Sequence, residues 1–218
     1  SVVAASATLA DANELQLGTL MVRGLLDVSS GGQLTLGTGR VQTLEATSGV
    51  GIQQLAGGLT VDSAVALTAT AGIVLEAATN RFGTVSANAA SVKLQTVSPL
   101  TITQLDVTGN ATLTTADQLT LGDVRTGGDL TARAARSITQ TAPMAIAGNA
   151  SFTADRDILL ENRGNLFNGE VALSGEKISV TAASSLTLGN VDARGDLTFK
   201  TTGGAIRQAP KATLKAAG

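Results

Sequence analysis

Leu186-Thr187-Leu188-Gly189-Asn190-Val191-Asp192-Ala193-Arg194-Gly195-Asp196-Leu197-Thr198-Phe199 restates a phrase already written at 119–132, LTLGDVRTGGDLTA. The same grammar appears at Leu100 to Leu113 (LTITQLDVTGNATL) and at Leu15 to Val28 (LQLGTLMVRGLLDV). Four copies exclude coincidence. Self-similarity of this kind marks a repeat architecture in which each unit buries its apolar face against its neighbours.

A shorter period runs inside the phrase: a glycine followed by two apolar residues at alternate positions. Gly109 precedes Ala111 and Leu113, Gly128 precedes Leu130 and Ala132, Gly148 precedes Ala150 and Phe152, and Gly195 precedes Leu197 and Phe199. The first three glycines are about one coil apart, and the step from Gly148 to Gly195 is two coils because Ile178 and Val180 form another apolar pair inside it. Alternation with period two is the signature of a strand with one buried face. Three such strands closed by glycine or asparagine turns account for one coil. The pattern therefore predicts an all-β fold, a parallel β-helix (β-solenoid) of about 20 residues per coil, with 1–218 as a single solenoid segment of a longer repetitive protein. The crossover preference of parallel strands makes it right-handed. Roughly eleven coils at ~4.8 Å each give a rod ~50 Å long.

Aligned inward residues are expected to stack as ladders. Leu121, Phe152, Leu188 and Phe199 fall on the apolar phase, and Phe152 and Phe199 are expected to fill one column held elsewhere by Leu113 or Ala132. On that reading, truncating Phe199 to alanine costs ~3–5 kcal/mol. Two segments break the period, 80–85 (NRFGTV) and 165–171 (NLFNGEV), and they are similar to each other. They are expected to be bulged coils of one larger unit.

The composition narrows the function. The 218 residues are 43% apolar, with 25 glycines, four phenylalanines, and no cysteine, histidine, tryptophan or tyrosine. Fifteen basic and seventeen acidic residues give a net charge of −2, with the signs interspersed. Nucleic acid is not an expected partner, since that needs a basic patch and usually aromatic stacking platforms. Without cysteine there are no disulfides or thiolate metal sites. No apolar run reaches the length of a membrane helix.

At LTLGNVDARGDLTFKTTGGAIRQ (186–208) and NLFNGEVALSGEKISVTAASS (165–185) the sequence resembles the repeat region of filamentous-haemagglutinin-type exoproteins, the secreted partner of two-partner secretion systems. The resemblance covers nearly the whole chain. It implies a right-handed parallel β-helix, export through an outer-membrane secretion partner, and a secreted protein displayed at the bacterial cell surface. Such repeat grammar is shared by adhesins, haem-binding exoproteins and contact-dependent toxin stalks, and the principal reading is a rigid stalk segment that projects a binding or effector domain, with a host-surface or neighbouring-cell receptor as the expected partner.

Arg194-Gly195-Asp196 spells an integrin-recognition tripeptide, a candidate receptor-binding site. The same slot holds Gly127-Gly128-Asp129 and Thr108-Gly109-Asn110, so turn chemistry also explains it. Asn110 and Asn149 begin glycosylation sequons, again in turn slots. Asp155, Asp157 and Glu161 form the densest acidic cluster, with Asp155 and Asp157 expected on one strand face. A solvated outer face accounts for them, and neither a metal nor another cofactor is expected. No catalytic residues are nominated, because glycoside chemistry needs two carboxylates at a defined separation. A β-face that binds a host glycan or protein directly is the alternative from a different class, and a polysaccharide-lyase-like enzyme the third. Exposed ladder edges on the terminal coils lead us to expect that the isolated segment either associates end to end or frays at its last coil.

Overall fold

The computed structural model describes residues 1–217. The chain is an all-β parallel solenoid of about 11 turns, roughly 19 residues per turn, with no helix among the described residues. Every strand pairing in it is parallel. The strands form a fourteen-stranded and a twelve-stranded sheet that run side by side along the rod.

The coil that begins at Leu119 shows how sequence makes shape. Strand Leu119–Thr126 belongs to the fourteen-stranded sheet and turns Leu119, Leu121, Val124 and Thr126 inward. Alternation fails once, at Leu121-Gly122, where two buried residues follow each other and the strand bends. The bend divides it into side A (119–121) and side B (124–126). Gly122 permits the bend because a Cβ there would lie 2.5 Å from the Thr103 carbonyl oxygen and 2.6 Å from that of Ile102. After the turn at Gly127-Gly128-Asp129, strand Leu130–Ala134 of the twelve-stranded sheet forms side C. The next coil begins at Ile138, in register with Leu119.

The core is a set of apolar ladders. On side A, Leu119 stacks on Ile138, then Ile158, Ile178 and Leu197. On side C, Leu94, Leu113, Ala132, Phe152 and Leu173 form one column, so large and small residues share a ladder as the pattern predicts. Leu121, Phe152 and Leu188 are buried.

Two expectations need correction. Phe199 is not in the Phe152 column: it pairs with Val180 in the fourteen-stranded sheet. It is also only partly buried, because its strand Leu197–Thr201 ends that sheet's path and has a neighbour on one side alone. The second correction concerns phase. The three apolar pairs of the phrase at 15–28 lie in the twelve-stranded, fourteen-stranded and fourteen-stranded sheets in turn. At 119–132 the order is fourteen, fourteen, twelve, and at 186–199 it is twelve, twelve, fourteen. The same words therefore sit on different sides of the coil. Three coils carry Leu119 to Ile178, and Leu186 lies further on in the other sheet, so the step from Leu119 to Leu186 is not a whole number of coils.

Candidate functional site

The Arg194-Gly195-Asp196 turn joins strand Leu186–Ala193 to Leu197–Thr201 at the C-to-A corner. Its backbone is held by the turn beneath. Arg194 N–H donates to Gly175 O (3.0 Å), Gly195 N–H donates to Glu176 O (2.8 Å), and Asp196 O accepts from Ile178 N–H (2.9 Å). Arg194 and Asp196 are exposed, but the Arg194 guanidinium donates to the Asp155 carbonyl two coils away, so it lies along the rod. Thr108–Asn110 and Gly127–Asp129 do stack on each other, through Gly128 N–H to Gly109 O (2.9 Å), at the B-to-C corner. The three turns share a sequence pattern and not a place.

Asn110 and Asn149 belong to a ladder of short polar side chains at that B-to-C corner. Asn110 Oδ1 accepts from Asp129 N–H (2.8 Å), Asp129 Oδ1 from Asn149 N–H (2.7 Å), and Asn149 Oδ1 from Glu170 N–H (2.9 Å). Each carboxamide or carboxylate thus satisfies a backbone donor one coil on, the ordinary task of Asn and Asp in turns. Both asparagines are exposed.

The acidic cluster does not converge. Asp155 and Asp157 lie in the turn between Ala150–Ala154 and Ile158–Leu160, so strand alternation does not apply to them, contrary to the expectation of a shared strand face. Glu161 Oε1 accepts from Ser179 Oγ (2.6 Å). Among the described residues no group of three or more His, Cys, Asp or Glu side chains is placed to hold a metal ion.

Charge elsewhere is spent in surface pairs: Arg40 with Asp62 (2.7 Å), Arg125 with Asp123 (3.2 Å) and Arg136 with Asp117 (3.3 Å). Hydrogen bonds and attraction from Asp62 and Asp123 raise the pKa of Arg40 and Arg125 respectively. A shallow depression over side C is lined by small polar groups such as Ser151, Thr153, Ser174 and Asn190, together with Asp192 and Lys215 and several apolar residues.

The chemically distinctive positions lie inside the rod. Asn80 and Asn165, which open the two irregular segments, are completely buried. Asn80 Oδ1 accepts from Leu59 N–H (2.9 Å) and Gln54 Nε2 (2.6 Å), while its Nδ2 donates to Gln54 Oε1 (2.9 Å) and Leu75 O (3.3 Å). Asn165 Oδ1 accepts from Met144 N–H (3.0 Å) and Gln140 Nε2 (2.8 Å), and its Nδ2 donates to Gln140 Oε1 (2.8 Å), Leu160 O (3.2 Å) and Thr181 O (3.1 Å). The four bonds of Asn80 each have a counterpart at Asn165. Every buried side-chain nitrogen and oxygen among the described residues has a partner, as the cost of an unpaired buried amide requires.

Each glutamine also closes its own turn, Gln54 Nε2 onto Gly57 O (3.0 Å) and Gln140 Nε2 onto Ala142 O (2.7 Å). Gln208 does the same onto Ala212 O. Apolar alternation alone does not reveal this element, though a signal is present: Ile52-Gln53-Gln54, Ile138-Thr139-Gln140 and Ile206-Arg207-Gln208 share Ile-x-Gln.

A family of repeats described as "Repeats of unknown function (DUF5649)" matches residues 4–35, 28–89, 108–174 and 175–218. The chain belongs to this family. The DUF5649 matches that begin at 108 and 175 are separated by the same step as the phrases that begin at 119 and 186. No curated protein matches the chain, and no solved structure does.

Proposed function

We propose that this DUF5649 chain is a structural stalk segment of a secreted bacterial surface adhesin or exoprotein, projecting a binding or effector domain away from the cell. The reading rests on the resemblance of its repeats to filamentous-haemagglutinin-type exoproteins. One observation carries it mechanically: both sheets run through the described chain, each coil hydrogen-bonded to the one before. In such an array stability is nearly a sum of coil and interface terms, so a rod can lengthen without a new core. The outer-membrane secretion partner and a host-surface or neighbouring-cell receptor are the partners this role requires. Catalysis is no part of it.

Protease shaving and antibody labelling of intact source cells test the proposal. Loss of the protein from shaved cells, with labelling at the surface, is the expected result, and a protein confined to the cytosolic fraction overturns it. A glycan or receptor array probed with the isolated segment separates the stalk from the binding-module reading. Specific binding by the segment itself favours the module.

A further inference from the structure

We infer that the buried amide pairs Gln54–Asn80 and Gln140–Asn165 are phase keys, which fix where the repeat leaves one place in the coil and resumes at another. The inference is independent of the stalk reading.

Three series place the key between successive positions of the Leu-x-Leu-Gly phrase. Gly18 and Gly37 stand where the chain passes from the twelve-stranded to the fourteen-stranded sheet, Gly122 stands inside strand Leu119–Thr126 of the fourteen-stranded sheet, and Gly189 inside strand Leu186–Ala193 of the twelve-stranded sheet. One amide pair lies between Gly37 and Gly122, and the other between Gly122 and Gly189. The phrase therefore takes a new place in the coil after each pair. The glutamine is seated identically each time, one coil above the second leucine of the phrase: Leu36 pairs with Gln54, Leu121 with Gln140, and Leu188 with Gln208. The asparagine arrives one coil later in the same corner.

Strand continuity changes at the second key. Before it, Leu119–Thr126 bends without a break at A-to-B. At it, the strand divides into Ile138–Gln140 and Met144–Ile146. After it, the unbroken bend has passed to Leu186–Ala193, in the other sheet.

The physical need is register. A slip of one residue would turn every apolar side chain outward, but a slip of two keeps the buried face, and an apolar ladder then offers little discrimination because it accepts any apolar neighbour. A paired amide behaves differently. Its net stabilisation over a well-packed apolar filler is small, yet a slipped register leaves both amides buried without partners. The pair thus penalises wrong registers more than it deepens the right one. Asn165 is placed for this, since it bonds to Gln140 in the coil before, Leu160 in its own and Thr181 in the next.

Disulfide trapping in the cysteine-free chain tests the inference. Ser174 and Asp192 are register partners just past the second key, so Ser174→Cys with Asp192→Cys should cross-link fully. Ser174→Cys with Asn190→Cys, a slip of two residues, should stay reduced. In the Gln140→Leu/Asn165→Leu background the slipped pair should cross-link as well, to at least a tenth of the native pair. A double leucine variant that traps only the native pair overturns the inference. Should that variant fail to fold, hydrogen exchange of Asn165→Ala decides. Protection lost after residue 165 and kept before 126 supports a key, and a uniform loss along the rod overturns it.

Discussion

The segments 119–132 and 186–199 are close to the same sequence and have different surroundings. Leu119–Thr126 bends within the fourteen-stranded sheet, and Leu186–Ala193 bends within the twelve-stranded one. Gly122 lies against two backbone carbonyls, whereas a Cβ on Gly189 would meet nothing nearer than 3.6 Å. Ala132 is sealed beneath Phe152, whereas Phe199 has a strand on one side only. Asp129 accepts a backbone hydrogen bond that Asp196 has no counterpart for among the described residues. In a solenoid the phrase sets which side chains point inward, and the neighbouring coils set what each is worth.

The largest contrast is between the two phenylalanines. Phe152 is fully buried between Ala132 and Leu173 and meets Phe167 edge to face, ring centroids 6.4 Å apart. Phe152→Ala should cost ~3–5 kcal/mol, as for other buried aromatic truncations. Phe199→Ala removes a side chain that is already partly in water and should cost about half as much or less. Urea denaturation of both variants of the 218-residue segment measures the difference, and equal losses would mean that Phe199 is as tightly covered there as Phe152.

Gly122→Ala and Gly189→Ala come next. The first forces a methyl group against the carbonyls of Thr103 and Ile102, and overpacking of that kind costs roughly 1–3 kcal/mol. At Gly189 the methyl makes ordinary contacts at 3.6 Å with Ala172 and Glu170. There the substitution should stabilise by ~0.4–1 kcal/mol, through the less flexible unfolded chain. Opposite signs in thermal unfolding are the expected outcome. A loss at both sites would show that the shared Leu-x-Leu-Gly phrase demands glycine wherever it falls.

These contrasts also mark what the sequence discloses. Period-two alternation in Leu119, Leu121 and in Leu130, Ala132 identifies the inward face, and the glycine spacing identifies the coil. The column Leu113, Ala132, Phe152 follows directly, because each of those residues is one coil from the next and its neighbour in space. Phase does not follow. The longer repeat, from Leu119 to Leu186, is not a whole number of coils, so matching Phe199 to Ala132 by phrase puts it in the wrong ladder. Asn80 and Asn165 were legible as irregularities but not as buried amides. Their glutamine partners lie 26 and 25 residues earlier, one coil back across a corner, and that proximity exists only once the register is known.

The smallest contrast is between Asp129 and Asp196, the same letter of the phrase. Asp129 Oδ1 accepts from Asn149 N–H at 2.7 Å, and Asp129 N–H in turn donates to Asn110 Oδ1. The side chain is therefore a middle rung of the B-to-C ladder. Asp129→Ala removes the acceptor from one backbone donor near the surface, where water replaces part of the bond, so the loss should be about 0.5–1.5 kcal/mol. Asp129→Asn keeps the Oδ1 acceptor and should recover most of it, as Asn110 and Asn149 already serve as rungs. Asp196 holds its turn through the backbone carbonyl that Ile178 N–H donates to, and that bond survives substitution. Asp196→Ala should then stay within about 0.5 kcal/mol of the parent chain, as for surface positions without a special contact. The three variants are compared by chemical denaturation, with amide exchange at Asn149 as the local readout. Faster exchange at Asn149 in Asp129→Ala, restored in Asp129→Asn, ties the effect to the ladder. A larger loss for Asp196→Ala than for Asp129→Ala would mean that the exposed Arg194-Gly195-Asp196 turn carries structural weight in its carboxylate that the ladder does not.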